Sequence, residues 1–261
     1  MNRILVYTAQ FCGRDADIAE PVFQEGVDYV CFTDDPPERK SLWQFRPPFW
    51  CDPDPRRAAR MHKLLGLELF CEYSSVLWLD GSLELIKFPE SLLISSPTIA
   101  CFPHRQLDCL YREAELCQWT KRAPIEDLDR QVQAYQQHGF PEHAGLFETG
   151  FLWRHNHAKL RSTCRKWWYH LDHYTIRDQI SLPFVSWRTG TPITPLPGTI
   201  ASNPWAKLTP HDYLPDDKYI DEIVAVHRPD DAAAYRTRLE TWRSQWGRFS
   251  SLVPAAAAPP S

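Results

Sequence analysis

The sequence predicts an α/β fold, a mostly parallel central sheet flanked by helices in a single domain. Short apolar runs rich in Val, Leu and aromatic residues end in polar residues, as strands buried on both faces do. A strong helix signal lies between two of these runs. Strand, helix and strand in alternation mark a parallel sheet with crossover helices.

The first strands are Arg3–Thr8 (RILVYT), Val27–Asp34 (VDYVCFTD) and Ser75–Asp80 (SVLWLD). The helix before the third runs from Asp54 to about Glu72, with Asp54 as N-cap and Pro55 in the first turn. Its Arg56, Arg60 and Lys63 share one stripe, and Ala58, Met61, Leu65 and Leu69 share another. The apolar stripe is expected on the sheet and the basic one at its rim. A strand at Thr98–Pro103, helices at Leu107–Thr120 and Ile125–His138 and an extended run at Gly145–Arg154 follow. Next come a Trp-rich helix at Ala158–His170, a helix starting near Asp178, a strand at Glu222–His227 and a helix through Arg236–Trp246. Prolines between Pro36 and Pro55 and between Pro183 and Pro204 suggest ordered loops over the sheet edge. The domain is expected to span 1–250, with 251–261 a disordered Ala/Pro tail.

Composition removes several function classes. In 261 residues, 29 Lys+Arg against 33 Asp+Glu leave a net charge of −4, which argues against a nucleic-acid binder held by overall positive charge. No apolar run approaches the roughly eighteen residues of a membrane span, so no transmembrane segment is expected. The N-terminal apolar run is too short for a signal core, which suggests a cytoplasmic protein, at most peripheral to the inner membrane face. The eight cysteines, at 12, 31, 51, 71, 101, 109, 117 and 164, form no Cys-x-x-Cys pair and are expected as reduced, packed thiols. Dinucleotide, Walker, α/β-hydrolase and zincin motifs are missing from the sequence. The 11 tryptophans suit either a core or a carbohydrate-facing cleft.

Ligands of open parallel sheets bind outside the carboxyl ends of the strands. Thr8, Asp34 and Asp80 lie at such ends. Asp80-Gly81-Ser82 is the strongest feature: the carboxylate suits a divalent cation and Gly81 lets a diphosphate approach the backbone, although an Asp-Gly turn has the same sequence. The neighbouring basic stripe could neutralise phosphates or be a solvated face. Glu148 and Gly150 interrupt an apolar run, so Glu148 is either a site residue or a paired carboxylate. Asp178, opening a helix, is either a site residue or an N-cap, and His227 is either a metal ligand or a core histidine.

Several motifs occur in one order: Tyr7-Thr8-Ala9, Cys31 to Asp34, Arg60 with Lys63, Trp78 to Ser82, Tyr111 with Glu113-Ala114, Glu148-Thr149-Gly150, Arg154-His155-Asn156 and Arg177 to Phe184. Together they resemble the glycosyltransferase-like family that includes plant mucilage and turgor-regulation proteins. The resemblance implies a GT-A-type (Rossmann-like) nucleotide-diphospho-sugar fold. It implies that Asp80 holds Mn²⁺ or Mg²⁺, with His227 as a weaker second ligand and Ser82 where a second carboxylate is usual. Thr8, Ala9 and Asp34 would meet the base and ribose, and Arg60, Lys63, Gly81 and Ser82 the diphosphate. Gly150 and Arg154 would line the sugar pocket with Glu148, and Asp178 and Gln179 would touch the transferred sugar. Asp178 or Glu148 would serve as base, unless the leaving phosphate takes that proton. The partners implied are a nucleotide-diphospho-sugar donor and a glycan or other hydroxyl acceptor. A non-catalytic glycan or sugar-nucleotide binding module, and an amidase-type hydrolase, are the competing readings.

Overall fold

The computed structural model describes residues 3–11 and 18–208, which fall within the unit Met1–Thr209. The strand expected at 222–227, the helix at 236–246 and the tail at 251–261 lie outside the described residues. Strands β1 (Arg3–Gln10), β2 (Val27–Thr33), β3 (Gln44–Arg46), β4 (Tyr73–Leu79), β6 (Ile99–Pro103), β7 (Phe147–His155) and β8 (Ile193–Pro195) form one sheet in the order β3-β2-β1-β4-β7-β6-β8. All neighbours are parallel except that β7 runs antiparallel to both β4 and β6. Strands β5 (Leu83–Leu85) and β9 (Ala206–Leu208) pair apart from it. Helices α1 (Pro55–Leu65), α2 (Glu90–Ser95), α3 (Leu110–Trp119), α4 (Ile125–Gln137), α5 (Ala158–His173) and α6 (Asp178–Thr189) complete an α/β architecture, a mostly parallel mixed sheet with flanking helices.

The central strands are apolar because both faces are covered. Leu5, Val6 and Tyr7 of β1, Val76 to Leu79 of β4 and Phe151 to Trp153 of β7 are all buried. Trp78, Trp153 and Trp167 belong to this core, whereas Trp187 stays partly exposed. Seven described cysteines are free thiols, of which Cys51 and Cys71 are exposed and the others buried.

The sequence placed α1 correctly at its start and less well beyond it. Asp54 accepts from the Arg56 amide at 2.9 Å and Pro55 opens the helix. The helix stops at Leu65 and the chain tightens into a 3₁₀ turn over Gly66–Phe70. There a Cβ on Gly66 would stand 3.1 Å from the Tyr7 ring. The packed face is Ala58, His62, Lys63 and Leu64, while Leu69 is 51% exposed, so the expected apolar stripe is not the docking face. Lys63 turns inward because acceptors wait for it there.

Arg154 explains how α1 docks. Its Nη1 donates to the Lys63 carbonyl at 2.7 Å and its Nη2 to the Tyr7 hydroxyl at 2.7 Å, while that hydroxyl donates to the same carbonyl at 2.6 Å. One buried guanidinium thereby ties β7, β1 and the last turn of α1 together, satisfying a carbonyl that the helix end leaves without an amide. Helix α6 also continues where proline loops were expected. Pro183 costs it the amide that would meet the Gln179 carbonyl, and buried Ile180, Leu182, Phe184 and Val185 hold it in place.

Candidate functional site

Asp80 follows β4 directly, beside β1, where the sheet's connections change direction. Its Oδ1 accepts from the Trp78 indole at 2.6 Å, Arg60 Nη1 at 3.2 Å and Lys63 Nζ at 3.5 Å. Lys63 Nζ also donates to Asp178 Oδ2 at 2.6 Å, and Arg60 Nε lies 3.2 Å from that oxygen. Four residues from three stretches of the sequence therefore form one network of two cations and two carboxylates, formally neutral. Lys63 is fully buried and the Asp178 side chain 3% exposed, while those of Arg60 and Asp80 are 23% and 27% exposed. The inner pair is a foundation and the outer pair faces the rim.

The charges fix the protonation states. Burial works against ionised Asp178, but the Arg60 and Lys63 charges and hydrogen bonds from Lys63 and Thr149 outweigh it and hold its carboxyl far below the usual range. Burial opposes ionised Asp80 in the same way, and Lys63 and Arg60 again prevail and lower it. Asp178 is not the N-cap of α6. That position is Arg177, and Asp178 is the first helical residue, where the positive end of the helix favours its charge.

Strand β7 delivers the next groups through an irregularity. Glu148 stands opposite Phe102 but Trp153 stands opposite Ala100, so β7 carries extra residues between them. Such bulges re-aim side chains. Thr149 donates to Asp178 Oδ2 at 2.8 Å, whereas Glu148 accepts from Arg105 Nε at 2.8 Å and from the Ile200 amide at 3.2 Å. Burial raises the Glu148 pKa, with Arg105 opposing it only in part. A Cβ on Gly150 would meet Ile200 Cδ1 at 2.9 Å and Asp80 Oδ2 at 3.3 Å, so the glycine clears space beside the carboxylate. Its carbonyl receives the Asp80 amide at 2.7 Å.

The structure thus brings Asp80, Arg60, Lys63, Asp178 and Gly150 together, with Glu148 two residues from Gly150. Gly81 and Ser82 continue from Asp80 into β5, and Gln179 accepts from Arg177 Nη2 at 3.3 Å. Thr8 and Ala9 are buried within β1, which runs on to Gln10, and Asp34 is exposed just beyond β2. Arg154 is not at the rim: it is fully buried and spent on docking α1, so it is not a sugar-pocket residue here. His227 lies outside the described residues. Three participants were not singled out as site residues from the sequence. Trp78 and Thr149 sit inside the quoted motifs, and Trp167, whose indole lies 3.2 Å from the Asp178 carbonyl and 3.0 Å from Ser181 Oγ, carries no signal beyond being aromatic.

A divalent cation needs several free hard oxygens. Here Asp80 Oδ1 is taken by an indole and two cations, Asp178 Oδ2 by an ammonium and a hydroxyl with a guanidinium beside it, and Ser82 replaces a carboxylate. Among the described residues no group of three His, Cys, Asp or Glu side chains could hold a metal ion. The described donor set does not fit the expected Mn²⁺ or Mg²⁺.

Comparison with known proteins gives a family. No curated protein sequence matches the chain. Among solved structures, the bifunctional glycosyltransferase WbbM in its apo form is similar at 12% identity and a TM-score of 0.46, over 75% of this chain and 38% of WbbM. The chain therefore spans well under half the length of that protein. Mouse xyloside xylosyltransferase 1, also apo, is similar at 9% identity and a TM-score of 0.41, over 75% of this chain and 84% of the mouse chain. The model of the TOD1/MUCI70 glycosyltransferase-like domain matches residues 48–195, which include Arg60, Lys63, Asp80, Glu148 and Asp178. That match takes in more than half of the chain, which belongs to the TOD1/MUCI70 glycosyltransferase-like family.

Proposed function

We propose that the protein transfers a sugar from a nucleotide-diphospho-sugar to a hydroxyl of a glycan or other acceptor. The observation that supports this reading most is the Asp80–Arg60–Lys63–Asp178 network at the carboxyl end of β4, with Gly150 leaving room beside Asp80. Transfer breaks the bond between the sugar C1 and the diphosphate oxygen, which keeps the electron pair, and forms a bond from C1 to the acceptor oxygen. Negative charge grows on the diphosphate, and preorganised cations lower that barrier. Arg60 supplies one at the rim, and Asp178, locked in its ionised form, serves as a fixed anion that positions Arg60 and Lys63. The acceptor proton goes to Glu148: its proton affinity is raised by burial, which its half-exposed partner Arg105 offsets only in part.

The test is a panel of UDP-, GDP-, CMP- and dTDP-sugars read first as thermal stabilisation and then as release of free nucleotide. One donor is expected to stabilise the protein and be turned over, with Asp80→Asn cutting release by about 100-fold or more while the fold persists. Stabilisation without release would make the site a binding module, and a panel that stabilises nothing would overturn the donor reading.

A further inference from the structure

We infer that Arg60, held by Asp178 and Asp80, stands in for a divalent cation at the donor diphosphate, so that donor binding is independent of Mn²⁺ and Mg²⁺. The inference rests on the donor reading above and concerns the same rim.

One oxygen of each carboxylate is already engaged by the chain's own cations. Lys63 Nζ reaches both carboxylates and is fully buried, so it cannot withdraw to make way for an incoming ion. Arg60 bridges the same two carboxylates from the solvent side. Placing a further double positive charge between them would set it against two cations in a site where burial weakens solvent screening.

Of the two cations only Arg60 has exposed surface. Its Nε faces Asp178 at 3.2 Å and its Nη1 meets Asp80 at 3.2 Å, while Nη2 makes no hydrogen bond among the described residues. A guanidinium pinned through Nε keeps its other edge, Nη1 with Nη2, as a planar two-donor fork, which matches two oxygens of a phosphate. When the diphosphate arrives, Nη1 exchanges Asp80 for a phosphate oxygen. Asp80 keeps the Trp78 indole at 2.6 Å and Lys63 at 3.5 Å, so neither carboxylate is left without a cation. In this arrangement Lys63 is a positioning residue, and Arg60 alone touches the phosphate.

The experiment is calorimetric titration of the full chain with UDP, GDP, CDP and dTDP, once in EDTA and once in MnCl₂, with electron paramagnetic resonance of free Mn²⁺ in parallel. The nucleoside diphosphate that binds is expected to do so with the same Kd in both media, within about twofold, and the protein without nucleotide is expected to leave the free Mn²⁺ signal undiminished. Arg60→Lys keeps the charge but loses the fork, and is expected to weaken binding about tenfold or more in both media with an unchanged melting temperature. Binding that requires Mn²⁺, with a Mn²⁺ signal loss that Asp80→Asn reverses, would overturn the inference and leave the donor reading standing. Unaltered affinity in Arg60→Lys would overturn the role of Arg60. Binding of none of the four in either medium would remove the donor reading and the inference with it.

Discussion

Gly150 shows how closely the site is fitted around one carboxylate. A methyl group there would press on the flexible end of Ile200 and on Asp80 Oδ2 at 3.3 Å. Ile200 can give way, and the Asp80 carboxylate would then shift by a few tenths of an ångström within a network set by hydrogen-bond distances. Gly150→Ala is expected to lower nucleotide release by about tenfold or more while changing stability by less than about 1 kcal/mol, measured by initial rates and urea melts. At this scale Asp80, Arg60, Lys63 and Asp178 were legible in the sequence, because the residues carrying them recur in a recognisable order. Arg154 was not. Its partners are the Tyr7 hydroxyl and the Lys63 carbonyl, one far away in sequence and the other a backbone atom, and neither leaves a trace in the residues around it. The inward turn of Lys63 was hidden for the same reason, since periodicity shows which residues share a stripe and not what waits opposite.

Among the elements, α1 carries both cations, so its seating sets their reach. Tyr7→Phe would remove the hydroxyl that both donates to the Lys63 carbonyl and accepts from Arg154, leaving a buried guanidinium hydrogen without a partner. It is expected to cost about 1–3 kcal/mol, read as a lower urea midpoint with an unchanged m-value. The long strands β1, β2 and β4 were readable from their apolar runs, and the start of α1 from Asp54 and Pro55. The three-residue strands β3, β5, β8 and β9 were not, because three residues are too few to display a period. Nor did composition reveal the bulge in β7, although its outcome is that the neighbours Glu148 and Thr149 serve different partners, Arg105 and Asp178.

Considered as a whole, the molecule carries two histidines, one buried and one partly buried, that link its stability to pH. His62 on α1 donates from Nδ1 to the Ala58 carbonyl and accepts at Nε2 from the Phe49 amide, and burial lowers its pKa to about 4. His170 on α5, beside the Tyr135 hydroxyl, is lowered to about 4 by burial as well. Both folded values lie below the ordinary 6.5, so the unfolded chain binds more protons between those limits. Stability is therefore full above about pH 6.5 and declines as the pH falls towards 4, by at most about 1.4 kcal/mol per pH unit for each histidine. Glu148, raised by burial, offsets part of the lower end. Urea melts from pH 8 to 4 check this, and a flat profile would contradict it. The alternation of strands and a helix gave away the parallel half of the sheet. The antiparallel insertion of β7 between β4 and β6 depends on long-range pairing that local pattern does not encode.

The small β5–β9 sheet joins Leu83, Glu84 and Leu85, just past the site aspartate, to Leu208, Lys207 and Ala206, more than a hundred residues later. Such a pairing is a long-range contact, and the cost of closing its loop grows only slowly with the number of residues between. It fastens the turn that follows Asp80 to the last described strand, so the segment carrying Gly81 and Ser82 is held at both ends.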